Sequence, residues 1–282
     1  MNLGTFLSLI KIEHTLFALP LALTGAILAA RGLPDVMTLI LLAIAFTAAR
    51  AAAMAFNRLV DRRIDALNPR TADREIPSGA ISATKTGVLV AVSVAVFLAA
   101  AWAINPLCGK LAPLALVVVL GYSYTKRFTV LCHYLLGIAL GIAPVSGWLA
   151  VKGAFAWPPV VIGLGVILWT AGFDILYACS DIQFDREMNL YSLPALLGPA
   201  RALRLAALSH MVAFGLFVFT GYLAGLSWLF YLLTLSTGLL LVWEHRLISP
   251  DNLSKLDMAF FRANSLVSVS LMLAVCGGLI VK

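Results

Sequence analysis

The stretch 57-NRLVDRRIDALNPRTADREIPSG-79 decides how the rest of the chain is read. It is the densest run of charge in a sequence that is otherwise largely apolar. An apolar run over 36–56 leads into it, so the stretch opens as the continuation of a helix. On that helix Asn57, Asp61 and Asp65 stand at i, i+4 and i+8 and carry three oxygen-bearing side chains on one face. Carboxylates one turn apart repel unless something positive lies between them. Arginines on a solvated, membrane-proximal loop could supply that charge. So could a hard divalent cation, which takes carboxylate and amide oxygens.

A second stretch, 174-DILYACSDIQFDRE-187, repeats the pattern. Asp174, Tyr177, Asp181 and Asp185 fall at i, i+3, i+7 and i+11, which predicts one helical face again. The flanks also correspond. Arg74, Glu75, Pro77 and Gly79 follow the first acidic face, and Arg186, Glu187, Pro194 and Gly198 follow the second. Two such faces in corresponding halves predict pseudo-repeated halves with a site between them.

Of the 282 residues, 62% are hydrophobic and 12% charged. Soluble domains carry roughly a quarter charged residues, so an ordinary soluble protein is excluded. Nine apolar segments stand out, at 14–30, 36–56, 87–104, 107–124, 130–151, 159–180, 202–224, 226–247 and 263–281. The predicted fold is an all-α membrane protein: nine transmembrane helices bundled around a central cavity, with cytoplasmic cap loops, as one domain over 1–282. The first segment reads as a retained span, because it is longer than a signal-peptide core and many spans follow. Cys108, Cys132, Cys179 and Cys276 have no CxxC spacing and read as small buried hydrophobes; His14, His133, His210 and His245 lack ligand spacing and read as interfacial or packing residues. Gly137, Gly141 and Gly147 read as points of close helix approach.

The sequence pI near 9.4 does not indicate nucleic acid, because the basic residues sit in short connections between apolar runs. With nine spans, fifteen of the twenty Lys and Arg residues fall on the side of the amino terminus. Arg31, Lys110, Lys152 and Lys282 fall on the other, and Arg50 lies within a span. That bias predicts a cytoplasmic amino terminus in a bacterial inner membrane, and it turns both acidic faces toward the cytoplasm. Arg50 and Asp174 each lie seven residues inside their motif, about 10 Å deeper. Ionisable groups at such depth line a polar cavity or pair with one another.

Two carboxylate pairs, the Asn57 amide and the cations Lys11, Arg62, Arg70, Lys126 and Arg127 form a mixture suited to a diphosphate. Carboxylates hold phosphate through Mg²⁺, and Arg and Lys take the outer oxygens. No Walker-type or GxGxxG stretch points to a nucleotide. An apolar bundle beneath such a head site suits an isoprenoid tail. A secondary transporter for an anionic metabolite is the alternative from another class, although transporter sites lie near the mid-bilayer.

The same residues carry a family resemblance over the whole chain. Asn57 to Asp65 followed by Arg70-Thr71-Ala72-Asp73-Arg74-Glu75-Ile76-Pro77-Ser78-Gly79, then Asp174, Tyr177, Asp181 and Asp185, with Tyr122, Tyr124, Lys126 and Arg127 between, resembles the UbiA superfamily of intramembrane aromatic prenyltransferases. Arg58 stands where many members have Asp. The resemblance implies Mg²⁺ held by Asn57, Asp61, Asp65, Asp181 and Asp185, and a polyprenyl diphosphate or acceptor carboxylate held by Lys126 and Arg127. The acceptor implied is an aromatic acid, 4-hydroxybenzoate or a hydroxynaphthoate. With catalysis centred on Asp61, Asp181 and Asp174, the deep Asp174 is read as orienting the acceptor phenol or receiving its proton. Tyr177 belongs to the same substrate-facing set. Arg50 is read, from depth and charge, as a partner for the acceptor carboxylate.

Overall fold

The computed structural model describes residues 4, 8–9, 12–250, 252–253, 256 and 263–280, with only the backbone for 12–17. Lys11 lies outside the described residues. The long helices are α1 (Ile12–Ala30), α2 (Val36–Leu67), α3 (Ala83–Ile104), α4 (Pro106–Thr125), α5 (Cys132–Lys152) and α6 (Trp157–Ala178). A 3₁₀ turn (Cys179–Asp181) and two short helices, α7 (Ile182–Glu187) and α8 (Leu193–Leu197), separate these from α9 (Pro199–Ala224), α10 (Trp228–Arg246) and α11 (Asn264–Ile280). Helix thus occupies each of the nine expected segments. Among the described residues, six stretches are long and apolar enough to cross a membrane: α2 to α5, 157–187 and α9. The molecule is an integral membrane protein.

Local chemistry sets the boundaries. Asp35 starts α2 by accepting from the Thr38 N–H at 2.9 Å. Asn105 ends α3 and starts α4: its side-chain oxygen accepts from the Cys108 N–H at 2.9 Å, and its amide donates to the Leu149 carbonyl of α5 at 2.9 Å. One residue thereby joins three helices at the end of the bundle away from the acidic motifs. Gly153 closes α5 at φ 60°, a left-handed conformation that glycine adopts without a Cβ clash.

The helix α6 packs on α5 and α9, and α1 packs on α5 and α11. The closest crossings use glycine. A Cβ at Gly147 would strike the Ala22 carbonyl of α1, one at Gly25 would strike the Pro144 carbonyl of α5, and Gly137 and Gly141 abut Ile167 of α6. The expected packing role of the α5 glycines is met. Gly147→Leu is expected to force α1 off α5 and to destabilise the fold by about 1–3 kcal/mol, read as a lower unfolding temperature in detergent.

A buried polar chain ties four helices, α6 and α9 to α11. The Trp169 indole of α6 donates to Asn264 of α11 at 2.8 Å, and Asn264 donates to Glu244 of α10 at 3.2 Å. The His210 ring of α9 lies 3.0 Å from the Trp169 carbonyl. Such bonds replace the hydrophobic drive that lipid does not supply between helices. Rows of exposed apolar side chains, Val88, Val92 and Val96 on α3 and Leu232, Leu235 and Leu239 on α10, form the faces that meet lipid.

One expectation is corrected. The second acidic stretch is not a continuous helix: α6 stops at Ala178, and the 3₁₀ turn carries Asp181 at φ −105° before α7 resumes. The helical register is lost at Asp181, so Asp174 and Asp181 line one cavity while Asp185, beyond the break, is fully buried.

Candidate active site

A cavity of about 1090 Å³ lies among α2 to α6. Its deep wall is apolar, built from side chains such as Leu42, Phe97, Leu111, Leu140 and Phe173. Its mouth is formed by the carboxy-terminal turns of α2, α4 and α6, the segment 68–75 and the start of α5. Helix α2 runs well past its apolar stretch, which carries Asn57, Asp61 and Asp65 beyond the bilayer-length segment without breaking helical register.

The two motifs meet across this mouth. Arg70 grips Asp181 with two parallel bonds, Nε to Oδ1 at 3.1 Å and Nη2 to Oδ2 at 2.6 Å. Asn68 adds a bond to Asp181 Oδ1 at 3.2 Å. The third guanidinium nitrogen of Arg70 donates to the Tyr177 hydroxyl at 2.9 Å. Burial would lower the Arg70 guanidinium, but the Asp181 carboxylate outweighs it and holds the group above the usual arginine range.

Every acidic side chain expected to hold metal carries a cation. Arg127 Nη2 lies 2.7 Å from Asp61 Oδ1, and the Asn57 amide donates to Asp61 Oδ2 at 2.9 Å. Arg74 Nη1 lies 2.7 Å from Asp65 Oδ1. Lys126 Nζ lies 2.7 Å from Asp185 Oδ1. Burial would depress the Lys126 ammonium, but Asp185, with Asp181 and Asp174 near it, raises it above the ordinary lysine value. Lys126 therefore stays charged at any physiological pH.

Not all the expected residues face the cavity in the same way. Asp185 is fully buried and is joined to the mouth through Lys126. Arg62 turns back to donate to the Leu59 carbonyl of its own helix at 2.6 Å. Arg58, the departure from the family pattern, is buried beside Glu75 at 3.8 Å, so it pins the 68–82 connection to α2. Arg50 lines the cavity within electrostatic reach of Tyr122. Asp174 has a partner on the neighbouring helix: His133 Nδ1 lies 2.6 Å from Asp174 Oδ2. The histidine read as a packing residue is thus part of the cavity wall. No spacing signal in the sequence pointed to it, since the pair is formed between α5 and α6. Arg74 stood inside the quoted motif and was legible there; Asn68 follows it on the same connection.

Among the described residues, no three His, Cys, Asp or Glu side chains converge closely enough to hold a metal alone. A cation at this mouth would need oxygens from its ligand to complete its shell. The donor set nevertheless fits a hard ion. The buried Oδ2 atoms of Asp65 and Asp185 have no hydrogen-bond donor among the described residues. Unsatisfied carboxylate oxygens of this kind are what a divalent ion takes up.

A membrane-embedded helical bundle with an apolar cavity and a mouth of paired carboxylates and cations defines an intramembrane transferase of the prenyl-transfer class. The chain belongs to the UbiA prenyltransferase family, whose model matches residues 18–266. It is 31% identical over 257 residues to the 4-hydroxybenzoate octaprenyltransferase of Yersinia enterocolitica, covering 91% of this chain and 86% of that one. It is 30% identical to the enzyme of the same name from Vibrio atlanticus, covering 89% of this chain and 88% of that one. The apo structure of a UbiA homolog from Aeropyrum pernix K1 superposes with a TM-score of 0.85 at 36% identity, covering 94% of this chain and 98% of that one. A UbiA homolog from Archaeoglobus fulgidus bound to DMAPP and Mg²⁺ shares the fold, with a TM-score of 0.73 at 20% identity over 99% of this chain and all of that one.

Proposed function

We propose that this prenyltransferase moves a polyprenyl group from its diphosphate to a ring carbon of an aromatic acid, 4-hydroxybenzoate or a hydroxynaphthoate, with Mg²⁺ as cofactor, in quinone synthesis. The observation that carries the reading is the ring of carboxylate–cation pairs over the apolar cavity. The names of the relatives and the DMAPP and Mg²⁺ of the Archaeoglobus homolog support it. The nine helices are read as nine spans, with the amino terminus and the mouth on the cytoplasmic side of a bacterial inner membrane.

Asn57, Asp61, Asp65 and Asp181 would hold the metal, with Asp185 behind them. Held by these residues, a divalent cation would supply positive charge to offset that of the leaving diphosphate. Arg70, Arg127 and Lys126 already sit on those carboxylates and need only turn to phosphate oxygens, for which the guanidinium fork is well shaped. The apolar walls exclude water from the allylic cation, which would otherwise be hydrolysed. Arg50 pairs with the acceptor carboxylate. Asp174 orients the acceptor hydroxyl and takes its proton as the ring carbon is alkylated.

The test is product formation. Membranes containing the protein, incubated with Mg²⁺, labelled geranyl diphosphate and either 4-hydroxybenzoate or a dihydroxynaphthoate, are expected to yield a prenylated aromatic acid. Absence of product with both acceptors would overturn the acceptor assignment. Uptake of an anionic metabolite into vesicles, without prenylation, would favour the transporter.

A further inference from the structure

His133 stands at the first turn of α5, 2% exposed, with both ring nitrogens engaged. The Leu193 N–H donates to Nε2 at 3.3 Å, which leaves Nε2 as the acceptor. Nδ1 then carries a proton that points at Asp174 Oδ2, 2.6 Å away. With Oδ2 held, the other oxygen of Asp174 can accept from a hydroxyl in the cavity that both residues line. A carboxylate on a helix has rotameric freedom, and a donor fixed on a neighbouring helix removes it.

The segment that supplies the Leu193 N–H is itself fastened to the α4–α5 connection. The Tyr191 N–H donates to the Lys126 carbonyl at 2.8 Å, and the Cys132 thiol donates to the Tyr191 carbonyl at 3.4 Å. Lys126 is also the cation on Asp185. The residues 191–193 therefore bridge the cation side of the mouth to the wall that holds Asp174. Ser192, between them, caps α8 by accepting from the Ala195 N–H at 3.3 Å, which fixes this bridge to a helix.

We propose that His133 is a positioning residue for prenyl transfer: it aims the Asp174 carboxylate at the acceptor hydroxyl and ties that aim to the 191–193 segment, an inference that rests on the aromatic-acceptor reading above. Its effect is on the acceptor half of the reaction. Misdirection of Asp174 by about 1 Å is enough to cost an order of magnitude or more in rate.

Steady-state kinetics of the membrane-embedded full chain would test this with geranyl diphosphate and 4-hydroxybenzoate. His133→Leu is expected to lower kcat about tenfold and to leave KM for geranyl diphosphate within about twofold. An unchanged KM shows that the variant has folded with its diphosphate site intact. His133→Asn, whose amide nitrogen can replace Nδ1 as donor to Asp174, is expected to recover most of kcat. Three results overturn the role while leaving the prenyltransfer reading standing: an active wild type with His133→Leu equal to it, an Asn variant no better than Leu, or a KM for geranyl diphosphate that rises as much as kcat falls. A wild type that prenylates no aromatic acid overturns both.

Discussion

Asp181→Asn is expected to lower kcat/KM for prenyl transfer by about 10³-fold, close to 4 kcal/mol of transition-state stabilisation. EDTA is expected to bring the wild type to the same floor. The substitution is nearly isosteric, and the Asn oxygen can still accept from Arg70 and Asn68, whose bonds to Asp181 are 2.6–3.2 Å. What it removes is the negative charge that would hold a metal against the leaving diphosphate. Asp61→Ala, on the other motif, is expected to act in the same direction. Initial rates with labelled geranyl diphosphate, measured across a Mg²⁺ titration, provide the check. Rates for both variants within about fivefold of wild type, and unaffected by chelation, would sink the metal-bridged reading.

The cation pairs explain how the mouth tolerates its own charge before substrate arrives. Asp61, Asp65, Asp181 and Asp185 are each within 2.7 Å of an Arg or Lys nitrogen. A buried carboxylate without such a partner costs several kcal/mol. If metal and diphosphate enter together, as proposed above, the carboxylates would exchange these cations for the metal while the cations take phosphate, and the net charge of the mouth would change little.

Much of this was legible in one dimension. The i, i+4, i+8 spacing of Asn57, Asp61 and Asp65 survives because α2 continues as regular helix to Leu67, and local spacing is meaningful wherever the helix is regular. The same inference failed at Asp185, because a 3₁₀ turn intervenes at Cys179–Asp181 and winding is not encoded in residue spacing. That the two motifs share one cavity was inferred from their repetition and is embodied in the Arg70–Asp181 bonds. The His133–Asp174 pair was illegible. The two residues are 41 positions apart on adjacent helices, and a lone histidine at a helix start carries no period or motif. At Arg58 the acid that many family members carry is absent, and the burial of Arg58 beside Glu75 makes it a brace for the connection that carries Arg70 and Arg74.

Arg50→Gln is expected to raise KM for 4-hydroxybenzoate about 10²-fold, roughly 3 kcal/mol, while KM for geranyl diphosphate stays within about twofold. Arg50 is seven residues before Asn57 on the same helix, so it sits about 10 Å below the mouth. It lines the same cavity as Tyr122, Asp174 and His133. A guanidinium in that place provides a buried positive charge and a planar fork, the two features that select a carboxylate over a neutral substituent. Arg50→Lys keeps the charge and loses the fork, so its KM is expected to lie between wild type and the Gln variant. The decisive control is an acceptor phenol without the carboxylate. Wild type is expected to use it poorly, and Arg50→Gln is expected to use it no worse than wild type does. If Arg50→Gln instead impairs the carboxylate-free phenol as much as 4-hydroxybenzoate, the residue acts on the reaction or the fold and does not select the acid.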